Sequence, residues 1–268
     1  MIRAQGLTFS YSGREVFHGL DLHLRRGEIL SILGPNGSGK STLLGLLRGV
    51  LKPQAGSVLL QGRALSRWSQ REIARRIAVV SQDQEAPFPF SVAEVVAMGR
   101  FPHQGLAPGK APAPHPAVAK ALDWTGLSPL AGRPVTRLSA GERQKVIIAR
   151  ALAQETPILF LDEAGAHLDL FQQVELARLL IRLREEEGKT MIHVCHDPNL
   201  SAEISDRVLL LPPGGGPCHI GNPTTVLTEK NLHQTFGLRM KVAPRVGDGL
   251  PRIEVSFSAP DSGRQREI

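Results

Sequence analysis

Polar and apolar residues alternate only at the start of the chain. Leu7, Phe9 and Tyr11 share one parity, and after a turn at Ser12 and Gly13 a second alternating run covers residues 16–24, which predicts antiparallel β-structure. The later apolar segments do not alternate. Residues 28–33, 77–82, 157–163, 190–195 and 208–211 are short continuous apolar runs, as in strands buried on both faces, with 208–211 as the last core strand. Residues 57–62 form a further short strand after a turn at 53–56. Helical stretches lie between these runs, at about 42–48, 69–76, 91–99, 117–125, 138–153 and 170–187. Three of them open with the S-x-x-E spacing of a capping box: Ser69 with Glu72, Ser91 with Glu94, and Ser139 with Glu142. After residue 228 the pattern predicts a short helix to about Gly237 and strand-like pieces at 240–242 and 253–255; from 258 onward it predicts disorder. Buried strands alternating with helices, entered through an antiparallel segment, predict an α/β fold.

The stretch Gly34, Pro35, Asn36, Gly37, Ser38, Gly39, Lys40, Ser41, Thr42 changes this from a fold to a chemistry. It fits G-x-x-x-x-G-K-[ST] and lies between a buried strand and a helix. Glycines let backbone N–H groups converge on a phosphate, and the helix N-terminus adds its positive dipole end. Lys40 is placed to reach the β- and γ-phosphates of a nucleotide and Ser41 to offer a hydroxyl to Mg²⁺. A second feature is the apolar strand that ends in Asp162 and Glu163. Adjacent strand residues point to opposite sides, so one carboxylate can hold Mg²⁺ while the other addresses water. Two acids have no structural purpose at the C-terminal end of such a strand, where α/β ligands bind.

Four features are open between structure and function. Tyr11 is either a half-buried strand aromatic or a ring that stacks on a purine. Gln82 is a polar residue where a strand meets a loop. Residues 138–142 are in themselves a well-capped helix start. His196 ends a strand and is followed by Asp197 and Pro198, a helix cap with proline at the first helical position; its position in a phosphate-binding fold favours a functional role.

Composition limits the partners. The chain has 268 residues, 41% hydrophobic and 21% charged, with a formal net charge of +7 and a pI of about 9.9. That balance suits an anionic partner, but Lys and Arg are spread rather than clustered, so nucleic acid is not the expected one. Cys195 and Cys218 form no C-x-x-C pair, which points to a reducing compartment, with Cys195 as a small core residue. The N-terminal residues lack the apolar core of a signal peptide, and no stretch approaches membrane-span length. Residues 83–134 are rich in Pro and short helices and read as a helical insertion, with a Pro/Gly-rich loop at 101–116.

Taken in order and spacing, the phosphate loop, Gln82, residues 138–142, the strand ending at Glu163, Asp169 and His196 resemble the ATP-binding subunit of an ABC transporter over nearly the whole chain. The resemblance implies a P-loop NTPase (RecA-like) core with an N-terminal antiparallel β-subdomain and an inserted α-helical subdomain. The expected division is 1–85 and 154–225 for the nucleotide-binding core, 86–153 for the helical subdomain carrying the LSAGE motif, and 226–268 for a C-terminal extension. It implies ATP and Mg²⁺ as ligands. Tyr11 would stack on adenine. Gly34, Pro35, Asn36, Gly37, Ser38, Gly39, Lys40, Ser41 and Thr42 would hold the phosphates. Ser41, Gln82 and Asp162 would serve the metal, with Gln82 also reporting to the membrane partner. Glu163 would be the general base, and His196 would contact the γ-phosphate. Ser139, Gly141 and Asp169 would serve the nucleotide across a dimer, with Ser139 and Gly141 binding the γ-phosphate held by the second subunit.

Two features depart from the family pattern. Ala140 and Glu142 replace the first Gly and the Gln of LSGGQ, a small change. Ala164 and Gly165 stand where relatives usually have Pro-Thr, in the loop expected to lie between the two subunits. The partners implied are a second copy of the chain, two permease subunits and, indirectly, a periplasmic or surface substrate-binding protein, at the cytoplasmic face of the inner membrane. Residues 88–103 and 232–242 resemble importers of iron–siderophore complexes, heme and cobalamin, with 88–92 and 98–100 closest to heme importers. The alternatives are an importer of another cargo and a soluble, non-transport ABC ATPase.

Overall fold

A computed structural model describes residues 1–81, 89–103, 115–165 and 168–255. In chain order, β1 (Ile2–Tyr11) and β2 (Arg14–Leu24) form a hairpin, and β3 (Ile29–Leu33) runs into α1 (Lys40–Leu47). β4 (Ala55–Leu60), β5 (Arg63–Ala64), α2 (Gln70–Ala74) and β6 (Ile77–Val80) follow. Then come α3 (Val92–Ala97), α4 (Pro116–Thr125), α5 (Ala140–Ala153), β7 (Ile158–Asp162), α6 (Leu170–Glu187), β8 (Thr190–Val194), α7 (Pro198–Ile204) and β9 (Arg207–Leu210). The described chain ends with β10 (His219–Gly221), α8 (Pro223–Val226), α9 (Glu229–Phe236), β11 (Met240–Pro244) and β12 (Pro251–Val255).

The strands form an antiparallel sheet of order β2-β1-β4-β5, a six-stranded sheet of order β10-β9-β3-β8-β7-β6, and the hairpin β11-β12. The five continuous apolar runs are the five parallel strands of the large sheet, each buried on both faces. Alternate side chains of these strands divide the interior. Leu30, Ile32, Ile158, Phe160, Ile192 and Val194 pack with α1 and the small antiparallel sheet. Ile29, Ala78, Val80, Leu159, Leu161 and Met191 face α3, α4, α5 and α6. Leu33, Cys195, Val208 and Leu210 form a third cluster with Leu232, Met240 and Ile253.

All three S-x-x-E sites form reciprocal capping boxes, so each helix start has its exposed N–H donors partly satisfied by its own side chains. Asp197 caps α7 as expected. Two details differ from the sequence expectation. Residues 208–211 do not end the sheet: β10 adds an antiparallel edge strand, three residues long and therefore too short to show a period. The parity of β1 also changes. Ile2 and Ala4 are buried on one parity and Leu7 and Phe9 on the other, because the register slips around Gly6, whose φ is +58°. The disorder expected from residue 258, most of the loop at 101–116 and Gln82 lie outside the described residues. Among the described residues no helix is long and apolar enough to cross a membrane.

Candidate functional site

The strand order brings distant residues together. β8 lies between β3 and β7, so the loop after β3, the end of β7 and the residues after β8 share one sheet edge. It is the C-terminal edge, where ligands of open α/β sheets bind.

The loop after β3 is built so that few residues other than glycine fit it. Gly37 and Gly39 have φ of +78° and +96°. A Cβ on Gly39 would lie 2.4 Å from Val16 Cγ1, and one on Gly34 would lie 2.4 Å from the Leu211 carbonyl oxygen. Val16 and Phe17 of β2 thus wall the loop, a role that the alternating pattern of β2 did not reveal. Lys40 begins α1 and is buried; its Nζ donates to the carbonyls of Gly34 at 3.0 Å and Pro35 at 3.2 Å. The α1 N-terminus carries no side-chain cap. Ser38 Oγ is buried and has no hydrogen-bond partner. An uncapped helix start, a lysine ammonium and an unpartnered hydroxyl around a glycine turn fit a phosphate group. Asn36 is exposed and Thr42 half-buried in the first turn of α1.

Next to the loop, Ser41 Oγ donates to Asp162 Oδ1 at 3.3 Å. Burial, the largest effect, pushes the Asp162 carboxyl up from its usual range; the neighbouring Glu163 adds to this, while the Ser41 hydrogen bond and Lys40 oppose it. A desolvated carboxylate beside a hydroxyl is a set of hard oxygen donors that fits Mg²⁺, which binds through few protein oxygens and completes its shell with phosphate and water. Among the described residues there is no cluster of three His, Cys, Asp or Glu side chains that would instead cage a metal.

Glu163 follows β7 in a left-handed conformation, φ +52°, which few residues with a side chain adopt. Its N–H donates to the Val194 carbonyl at 3.2 Å, which ties the bend to β8. This turns the carboxylate toward the other groups: Oε1 lies 3.0 Å from His196 Nε2 and 3.7 Å from Lys40 Nζ.

Tyr11 ends β1 half-exposed and stands edge-on to Phe9, with ring centroids 4.8 Å apart. Phe9 is paired with Phe17, the ring against Gly39, so this aromatic corner is continuous with the phosphate loop.

Ser139, Gly141 and Asp169 gather elsewhere. Ser139 caps α5 by accepting from the Glu142 N–H, and Asp169 caps α6 by accepting from the Gln172 N–H at 2.8 Å. A Cβ on Gly141 would collide with the Gln172 amide, so the two helix starts abut. Among the described residues no hydrogen bond or ion pair links Ser139, Gly141 or Asp169 to residues 34–42. Gln82, Ala166 and His167 lie outside the described residues.

Comparison with known proteins identifies the family. A family model described as ABC transporter matches residues 17–166. The chain is 43% identical to the hemin import ATP-binding protein HmuV of Pseudomonas fluorescens, over 94% of this chain and 99% of that one. It is 36% identical to the iron(3+)-hydroxamate import ATP-binding protein FhuC of Bacillus subtilis, over 90% of this chain and 89% of that one. Among solved structures it superposes with TM-score 0.81 on a transporter described as of metal-chelate ABC type in an inward-facing conformation, at 32% identity, covering 96% of this chain and 97% of that one.

Proposed function

The chain belongs to the ABC transporter family, whose ATP-binding subunits couple ATP hydrolysis to transport, and from that premise we propose that it powers import of a metal chelate as a homodimer beneath two permease subunits. The observation that carries the reading is the convergence of Lys40, Ser41, Asp162, Glu163 and His196 from three neighbouring strands.

Each described residue then has a role consistent with its contacts. Residues 34–42 wrap the phosphates of ATP, with the Ser38 hydroxyl taking a phosphate oxygen as its missing partner. Lys40 exchanges the Gly34 and Pro35 carbonyls for the β- and γ-phosphates. Ser41 and Asp162 would hold Mg²⁺, which when bound supplies neutralisation of phosphate charge, and Gln82 would join them. Glu163 accepts the proton of the attacking water, and His196, on the same carboxylate, orients it and reaches the γ-phosphate. Tyr11 stacks on adenine.

The second copy has a physical reason. Ser139 and Gly141 offer helix-start donors that no contact joins to their own phosphate loop, so they serve the γ-phosphate held by the other chain, with Asp169 setting the helix beside them. Loss of that phosphate on hydrolysis loosens the pair and moves the attached permeases. The division into a nucleotide core (1–85 and 154–225), a helical subdomain (86–153) and a C-terminal extension (226–268) belongs to the same proposal. So does a peripheral location on the cytoplasmic face of the inner membrane, with a substrate-binding protein as indirect partner and no nucleic acid.

The cargo class follows from the relatives, which are named for hemin and for an iron(3+)-hydroxamate. Heme, an iron–siderophore complex and cobalamin are the candidates. Uptake tests this. Cells carrying the chain or its Glu163→Gln form are offered labelled heme, ferric siderophore and cobalamin in turn. Loss of one cargo in the variant names the substrate; unchanged uptake of all three, with hydrolysis abolished, removes the metal-chelate assignment. Co-purification with a membrane protein separates an importer subunit from a soluble ATPase.

A further inference from the structure

Behind Glu163 and His196 lies a half-enclosed cavity of about 180 Å³. Those two side chains stand at its mouth. Its walls are largely apolar, with Leu176 and Leu180 from α6 and Leu200 and Ile204 from α7. Three further polar side chains are set in them: Gln173, whose amide donates to the Leu168 carbonyl, Asp197, whose carboxylate caps α7, and His193 of β8, only 2% exposed. The His193 Nδ1 has no hydrogen-bond partner, and Nε2 forms no bond among the described residues.

This histidine is out of keeping with its surroundings. On the same sheet face its β8 neighbour is Met191 and its partners across the sheet are Leu161 and Ser31. The other buried polar groups nearby are paired: Ser31 Oγ lies 2.5 Å from Ser205 Oγ, and Cys195 Sγ lies 2.8 Å from Ser201 Oγ. Packing alone would be served by Leu or Val. A buried polar group without a partner destabilises a fold, and few native structures keep one without a use for it. Burial lowers the His193 pKa to about 4, so at neutral pH the ring is uncharged and offers one donor and one acceptor.

We propose that this cavity is a ligand site for a small uncharged ring bearing one hydroxyl or N–H group, held through His193 and sensed by the Glu163–His196 pair at its mouth. The size sets the class. An apolar cavity of roughly 150 Å³ takes one benzene ring, so this one accommodates a single ring and one polar atom. The apolar walls reject a charged ligand. The occupant packs between α6 and α7 and against the strand that leads, three residues on, to His196. It therefore acts on the geometry of Glu163 and His196 rather than on the phosphate loop. That regulatory half rests on the roles proposed above for Glu163 and His196; binding does not.

The test uses the full chain with ¹⁵N-labelled histidine, phenol as probe, and toluene as the same-sized ring without a donor. The His193 and His196 signals are assigned with His193→Leu and His196→Asn. Phenol should shift the His193 ring signals saturably and at least about fivefold more tightly than toluene. His193→Leu should bring phenol down to the affinity of toluene. Ala177→Leu, which fills the cavity from α6, should remove both while MgATP binding persists. No saturable shift at His193, which is what a water-filled pocket would give, overturns the site, as does unchanged phenol affinity in either variant. The His196 signal should move with the same saturation; a His196 signal that stays still overturns the coupling. None of these measurements needs ATP turnover, so their failure is distinct from failure of the ATPase roles.

Discussion

Oε1 of Glu163 lies 3.0 Å from Nε2 of His196, and the same oxygen is 3.7 Å from Nζ of Lys40. The carboxylate thus stands between an imidazole and an ammonium, where an attacking water could hand it a proton. Glu163→Gln keeps the shape and removes the base. We expect ATP binding within about twofold of the parent and hydrolysis slowed by at least about 10²-fold, the usual worth of a general base. Phosphate release and equilibrium nucleotide binding check this; parental turnover would remove Glu163 from that role.

Lys40→Ala removes more than a charge. It leaves the buried Gly34 carbonyl without its donor, while the Pro35 carbonyl keeps the Ser38 N–H at 3.2 Å. Nucleotide affinity should fall by at least about tenfold, and stability by about 1–2 kcal/mol for the one unsatisfied acceptor. Calorimetric titration with ATP and chemical denaturation read the two effects separately.

Ser139 can be tested for two roles at once. Ser139→Ala loses the α5 cap and should cost about 1 kcal/mol. Ser139→Asp keeps a good cap but sets a negative charge where the second copy's phosphate would dock. Stability should then be retained while dimerisation under saturating MgATP, measured by light scattering in the Glu163→Gln background, is lost. A Ser139→Asp chain that still dimerises normally shows that Ser139 only caps its helix.

His193 gives the fold an acid-sensitive element. Its pKa is lowered to about 4 by burial, against an ordinary value of 6.5. The unfolded chain therefore binds the proton first as pH falls. The stability held by the neutral ring is intact above pH 6.5 and is lost between 6.5 and 4, about 2 kcal/mol by pH 5 and about 3 kcal/mol in all. Denaturation midpoints at pH 7 and pH 5 should differ less in His193→Leu than in the parent by that amount. Equal slopes in the two chains would mean that His193 is solvated in the folded state.

Much of this was legible in the residues because local chemistry and tertiary packing agree. Five apolar runs became five parallel strands, and the Ser and Glu of each S-x-x-E site bond reciprocally as their spacing predicts. The phosphate loop was visible because the φ values of Gly37 and Gly39 exclude most other residues. What could not be read depends on geometry between distant segments. The positive φ that aims Glu163 has no signature in a glutamate, and the packing of Gly39 against Val16 and Phe17 joins segments more than twenty residues apart. β10 and α8 are only three and four residues long, shorter than any period. In the sequence His193 is one more member of a buried strand, and its lack of a partner emerges only from the surroundings that the fold builds.

The seat of β8 between β3 and β7 has a consequence for how the protein is made. A nascent chain that has emerged only as far as residue 189 already carries the phosphate loop, Asp162 and Glu163, yet the two halves of its sheet have nothing between them. Only when residues 190–194 slot into that gap do the halves draw into register, and His196 arrives with the same stroke. Synthesis order thus sets the order of assembly: a chain broken before that strand holds the phosphate loop and the carboxylates after β7 without the strand that joins them.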